Sequence, residues 1–149
     1  MWMSEIAERA IMQAASSLDV TMRASRVDNE ETEKTERKKY PALVINAGSG
    51  NTDSIESLFY EVPITLTLIT HYEDDPKCTT LASLEDELRS ITDVGIDSST
   101  VRTAFNSIAA AAGETRYFKG LTNIEGEPVA KTDKEQSIVI NMIMHVCGS

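Results

Sequence analysis

Two stretches of this chain are too regularly apolar to be anything but β-strands. Over residues 58–72, Leu58, Tyr60, Val62, Ile64, Leu66, Leu68 and Tyr72 share one face, and Glu61, Thr65, Thr67 and His71 share the other. Period two over that length predicts a strand with one buried side. Residues 137–147 are apolar on both sides. Ile138, Ile140, Met142, Met144 and Val146 lie on one, and Val139, Ile143 and Cys147 on the other. Such a strand needs cover on both faces. At 149 residues the chain is the size of one ordinary domain. It has few elements to spend on two covering layers, so the pattern predicts a partner surface.

The remaining segments supply the covering helices. Ser4 is placed to cap a helix with Ile6, Ala7, Ala10, Ile11, Ala14 and Leu18 on one stripe. Glu5 and Glu8 are read in its first turn, where the helix dipole favours them. Val20, Met22 and Ala24 alternate with polar residues and predict a short edge strand. Residues 28–39 are almost wholly charged or polar and predict a flexible loop that orders against a partner. Residues 40–45 form a compact apolar strand with Pro41 at its start. Pro63 predicts an edge, a bulge or a bend in the long strand.

Thr79 or Thr80 is expected to cap a second helix with Leu81, Leu84, Leu88 and Ile91 inward. Ser98 or Ser99 is expected to cap a third, with Val101, Phe105, Ile108, Ala109 and Ala112 inward and Gly113 as its stop. Residues 116–121 read as a strand, and residues 123–133 carry turn chemistry around Gly126 and Pro128. No internal repeat is visible. The sum is one α+β domain over residues 1–149. Its sheet is mixed, mostly antiparallel and of about four strands, with helices packed on one face.

Composition excludes some functions. With 24 acidic and 14 basic residues the formal charge is -10, which argues against coating nucleic acid. An acidic lining is compatible with DNA sliding past without sticking. Cys78 and Cys147 have neither metal-ligand spacing nor a disulfide framework, and read as free thiols in a reducing compartment. The first residues carry no signal-peptide pattern, and no stretch approaches a membrane span. The expectation is a soluble protein made in the cytoplasm.

Four constellations bear on chemistry. His71, Glu73, Asp74 and Asp75 form a metal-like cluster at a strand end, but acidic residues before Pro76 more often make a solvated turn. A small metal-dependent hydrolase using His71 with Asp74 or Asp75 is one alternative function. His145 sits on an otherwise apolar strand; it would need a nucleophile or carboxylate nearby to act in catalysis, and reads as a histidine hydrogen-bonded in a core or interface. Gly48-Ser49-Gly50-Asn51 resembles a phosphate loop, lacks the following Lys-Ser/Thr, and reads as a turn. Glu85 and Glu87 point to different sides of their helix. The Met142 and Met144 stripe reads as core, with contact to a neighbouring subunit as the other option. No catalytic, cofactor-binding or metal residue is assigned.

The succession of these segments resembles a known family. An amphipathic N-terminal helix precedes Tyr40-Pro41-Ala42-Leu43-Val44-Ile45. The long strand Glu61-Val62-Pro63-Ile64-Thr65-Leu66-Thr67-Leu68-Ile69-Thr70 follows, then the helix Leu81-Ala82-Ser83-Leu84-Glu85-Asp86-Glu87-Leu88, and finally Ser137-Ile138-Val139-Ile140-Asn141-Met142. This resembles the tail terminator and tail-completion proteins of long-tailed bacteriophages. The third helix is more than the simplest members carry. The resemblance implies a hexameric ring that caps the tail tube and joins it to the head connector. It also implies a place in the virion after assembly in the host cytoplasm, and no catalytic residues. Partners would be further copies of the chain, the tail tube protein and the connector, with residues 28–39, 48–54 and 123–133 as contact segments. A non-viral dimeric adaptor with a ferredoxin-like sheet is the other alternative.

Overall fold

The computed structural model describes residues 3–25, 40–48, 51–52, 59–92, 99–126, 129–132 and 134–148. Along the chain these form α1 (Met3–Ala14), β1 (Thr21–Ala24), β2 (Ala42–Ala47), β3 (Asn51–Thr52), β4 (Phe59–His71), α2 (Thr79–Ile91), α3 (Ser99–Ala111), β5 (Tyr117–Gly126), β6 (Ala130–Lys131) and β7 (Glu135–Cys147). The sheet runs β1-β2-β4-β7-β5, with β3 attached to β4 and β6 to β7. Among the described residues only β1 and β2 are parallel, and every other pairing is antiparallel. The α+β class and the mostly antiparallel mixed sheet agree with the sequence. The strand number is higher than expected because β3 and β6, at two residues each, are too short to show a period.

The two long strands pair with each other in the centre, in unbroken register from Phe59 opposite Cys147 to His71 opposite Glu135. Their alternation puts Val62, Ile64, Leu66 and Leu68 on the same side as Ile138, Ile140, Met142 and Met144. These residues merge into one core with Leu43 and Ile45 of β2, Phe118 and Leu121 of β5, and the stripes of all three helices. Ile6 and Ile11 of α1, Leu81 and Leu88 of α2, and Val101 and Phe105 of α3 are fully buried there. With few aromatics available, Phe105 and Phe118 meet at 6.2 Å between ring centroids and join α3 to β5. The Met142 and Met144 stripe is therefore core, 2% and 0% exposed. The three helices among the described residues lie on this one face.

Pro63 sits in a central strand without disturbing its pairing to β7. Its carbonyl accepts from the Gly48 amide at 2.8 Å, so its missing N–H falls on the side where β2 has ended and β3 has yet to begin. The expected irregularity is thus carried by the neighbouring chain. A side chain on Gly48 would meet the Pro63 ring at 3.0 Å, which explains a glycine there.

The helix ends are held differently from expectation at one terminus and as expected at another. Gly113 has φ 75, and its amide reaches the Ala110 carbonyl while the Glu114 amide reaches that of Ala109. This paired closure is the glycine stop read from the sequence. At the start of α2 neither Thr79 nor Thr80 caps. Cys78 occupies the cap position in a left-handed conformation with no side-chain bond. Asp75 reaches across instead, accepting from the Thr80 and Leu81 amides at 3.0 Å each. The Thr70 hydroxyl donates to the same carboxylate, and the Gln136 side chain donates to the Asp75 carbonyl. A residue read as part of a solvated turn is thus 5% exposed and ties α2 to β4 and β7.

Glu8 departs from expectation in the same way. It is buried, accepting from the Ala47 amide at 2.8 Å and the Ser25 hydroxyl at 2.6 Å. It anchors α1 to the end of β2 rather than facing water near the helix start. Glu5 keeps its surface position and pairs with Arg9 at 3.5 Å.

The β5 edge is guarded. At Phe118 the outward amide donates to the Asn106 side chain at 2.9 Å, and the carbonyl accepts from Arg102 at 3.3 Å, both from α3. The β5–β7 register shifts between Phe118 and Gly120 and again between Thr122 and Glu125. Irregularity and side-chain cover are both devices that blunt an exposed strand.

Burial pushes the Asp75 carboxyl upward, but the amides of Thr80, Leu81 and Thr79 and the Thr70 hydroxyl outweigh it and hold the group below the usual carboxylate range. A carboxylate with a lowered folded-state pKa stabilises fully above its unfolded value of about 3.9. That contribution is lost as pH falls through the folded value. We expect Asp75→Ala to cost about 2–3 kcal/mol at neutral pH, read from urea unfolding. The gap between wild type and variant should close as the medium is made acidic below about pH 4.

Candidate functional site

Among the described residues no helix lies on the other side of the sheet. On it the central strands present Glu61, Pro63, Thr65, Thr67, Ile69 and His71 from β4 and Glu135, Ser137, Val139, Asn141, Ile143 and His145 from β7. All are half-buried except Pro63, which is exposed. Val44 and Asn46 of β2, Arg23 of β1 and Thr122 of β5 extend the surface sideways by register. Among the described residues the doubly apolar strand β7 is packed under helices on one face, and the other face is half-buried up to His145 with Cys147 buried beyond it. Its other face mixes Val139 and Ile143 with Ser137 and Asn141. The Thr65 hydroxyl and the Asn141 side chain bond across the middle at 3.2 Å.

Each end of the β4–β7 ladder carries a glutamate opposite a histidine. At one end Glu61 faces His145, with 3.9 Å between Oε1 and Nδ1. Nε2 of the same ring lies 2.6 Å from the Thr122 hydroxyl on β5. Hydroxyl, imidazole and carboxylate stand in the order that an activated nucleophile uses. The carboxylate, however, is too distant for the hydrogen bond that would fix the ring. The arrangement orients His145 on the surface by Thr122. Sequence reasoning placed His145 in a core or interface and missed these two cross-strand neighbours, which only strand pairing reveals.

At the other end His71 is opposite Glu135. The Tyr40 ring packs edge-on to His71 at 5.3 Å, and its hydroxyl donates to Glu135. The His71 Nδ1 accepts from the Glu73 amide at 3.1 Å. His71 and Asp75 therefore part company, the first turned to the open face and the second to the α2 terminus. Asp74 is exposed on the turn. Among the described residues no group of three or more His, Cys, Asp or Glu side chains is placed to hold a metal ion.

The other sequence candidates are spread over the fold. Glu85 pairs with Arg89 one turn along α2 at 3.1 Å, while Glu87 faces solvent. Gly48 bonds to Pro63 as described, and residues 49–50 of the glycine turn lie outside the described residues. Cys147 is buried and Cys78 half-buried, both as free thiols. Residues 28–39 lie outside the described residues, as do 53–54 of the second contact segment and 127–128 and 133 of the third. Residues 123–126 prolong β5 rather than forming a turn.

The chain reads as free of repeats, yet the open faces of β4 and β7 share a pattern. Over residues 61–71 of β4 and 135–145 of β7, each runs from Glu to His and carries Ile two residues before the His. The spacing from Glu to His is the same in both strands. Two Glu-to-His intervals of equal length were visible in the sequence; that they lie side by side and antiparallel was not.

Tyr40 supplies a check on this surface. Burial, the hydrogen bond to Glu135 and the charge of that carboxylate together push its phenol up to about 12. The raised value favours the protonated form in the fold. Its contribution to stability is complete below about pH 10 and is lost as pH rises through the folded value. A phenolate absorbance titration should lose its last step in Tyr40→Phe. In Glu135→Gln that step should move down only in part, because burial is the larger cause.

Among the described residues no helix is long and apolar enough to cross a membrane. The element order, which begins with a helix and places α2 and α3 in succession, differs from the β-α-β-β-α-β order of a ferredoxin-like domain. No protein-family model matches this chain, and no curated protein matches it.

Proposed function

We propose that this chain is a structural subunit of a long-tailed bacteriophage, built to assemble into a ring that closes the tail tube and joins it to the head connector. The observation that carries the reading is the sheet with helices on a single face. Its bare side holds Val139, Ile143, Ile69 and Val44 half-buried among short polar side chains. A surface of that mixture suits burial by a neighbour better than permanent contact with water. The order of helices and strands resembles that of the tail-terminator family, and the charge of -10 suits a ring through which DNA passes. Ring closure would come from a head-to-tail contact between unlike surfaces, repeated by rotation. The ends of the ring would meet the tail tube protein and the connector, with residues 28–39, 48–54 and 123–133 as contact segments. The place of action on this reading is the virion.

The test is direct. Purified protein should sediment as a closed oligomer, show rings by negative-stain electron microscopy, and bind purified tail tube protein. A monomer at every concentration that also ignores the tube would end the proposal.

A further inference from the structure

The open face of β4 and β7 has a property that a generic apolar patch lacks. Between Glu61 and His71, β4 presents Glu61, Pro63, Thr65, Thr67, Ile69 and His71, and between Glu135 and His145, β7 presents Glu135, Ser137, Val139, Asn141, Ile143 and His145; the ladder runs on by one more pair, Phe59 opposite a buried Cys147. Since the strands are antiparallel and in register, the face has an approximate two-fold axis through its centre. The axis exchanges Glu61 with Glu135, Ile69 with Ile143, and His71 with His145.

This pattern complements itself. Turn a second copy over by half a turn about an axis in the sheet plane, and every glutamate comes to lie over a histidine. Along the strands, Glu61 of the copy meets His145 and Glu135 of the copy meets His71. Across the strands, Glu61 meets His71 and Glu135 meets His145. In both cases the bulky Ile69 and Ile143 fall over the smaller Pro63 and Ser137, so large side chains meet small ones. The central threonines, Val139 and Asn141 meet each other. Like charges never coincide.

We infer that the open face of β4 and β7 is a docking surface for a second copy of this chain, joined face to face about a two-fold axis and held at both ends by Glu–His pairs. The inference rests on the reading that assembly buries this face, and adds the partner and its symmetry. Packed sheets of this kind lie about 10 Å apart with strands aligned to within about 30°. From Glu61 to His71 the ladder extends about 35 Å, and β2, β4, β7 and β5 together span about 19 Å. The central pair fills that length and β2 and β5 each about half of it, so the footprint is roughly 500 Å² on each copy, below the ~800 Å² per partner of an ordinary stable interface and in the range of a weaker, concentration-dependent contact. With a head-to-tail ring contact elsewhere on the subunit, a two-fold contact would give a double-layered ring.

The contact is pH-dependent by construction. A protonated imidazole pairs with a carboxylate more strongly than a neutral one, so each Glu–His contact is expected to strengthen on mild acidification. Around His145 the charged groups are Glu61 on β4 and the exposed Lys119 beside its β5 partner Gly120. Around His71 they are Glu135 on β7, Tyr40 ahead of β2, and Glu73 next along the chain. Arg23 on β1 lies on the same face but two strands from β4.

The experiment is sedimentation velocity of the full chain at about pH 6 and about pH 8. Each of two variants carries two changes: Glu61→Lys with Glu135→Lys, and His71→Glu with His145→Glu. Wild type should pair at the lower pH and pair roughly tenfold more weakly at the higher. Each variant alone should fail to pair. Their equimolar mixture should pair at both pH values, because Lys then meets Glu and the remaining Glu meets His. Thr67→Arg, in the middle of the face, should prevent pairing in every background. Circular dichroism and melting confirm that each variant is folded. Should a swap fail to fold, Thr67→Arg and the pH dependence of wild type decide alone.

Pairing that survives both swaps and Thr67→Arg would overturn the inference. Single rings indifferent to all these changes would also overturn it, while leaving the ring reading intact. Two-fold pairs that never form rings nor bind the tail tube would support the inference and overturn the ring. A wild-type monomer at both pH values would remove both.

Discussion

The pairing of β4 with β7 is the constraint on which everything else in this fold depends. These two strands lie far apart in the chain and close the longest loop between paired strands among the described residues. Once they are in register, one face becomes a continuous aliphatic surface and the other a patterned polar one. A slip of a single residue would exchange the two faces and put Leu66, Leu68, Ile138 and Ile140 into water. At about 1.5–3 kcal/mol for each such side chain, no other register competes. The positions of β2, β5 and the helices follow, since each packs on a surface that the central pair defines.

The helices need more than that surface. Their stripes are rich in alanine and leucine, which set orientation loosely. Two buried carboxylates fix them in place. Glu8 ties α1 to the Ala47 amide at the end of β2, and Asp75 ties the start of α2 to β4 and, through Gln136, to β7. Both act by satisfying backbone donors that would otherwise lie unpaired in the interior, which is where a hydrogen bond matters most. In an acidic chain, two carboxylates are thus framework and the surface charge is carried by the others.

Much of this was legible in residues of regular spacing. The alternation through Leu66 and Ile140, the helical stripes of Ile6, Leu81 and Phe105, and the stop at Gly113 are local patterns, and local patterns survive without tertiary information. What was illegible depended on distance. Asp75 lies several residues ahead of the helix it caps, inside a run that looks like a solvated turn, so its role appears only when α2 folds back over β4. Glu8 looked like a dipole residue because nothing in the sequence says that Ser25 and Ala47 will approach it. The Glu–His pairs and the Thr122 contact to His145 required strand order, and strand order is set by chain topology rather than by composition. Short strands such as β3 and β6 left no period to read.

A last consequence lies at the rim of the sheet. Because Asn106 and Arg102 occupy the outward backbone groups of Phe118, and β5 is kinked twice against β7, a strand from another molecule finds few hydrogen-bonding positions there. Growth by stacking strand upon strand, the route to fibrils, is obstructed on this side. On this rim a further molecule is left the side chains of α3 and β5 to touch, not a free ladder of backbone groups.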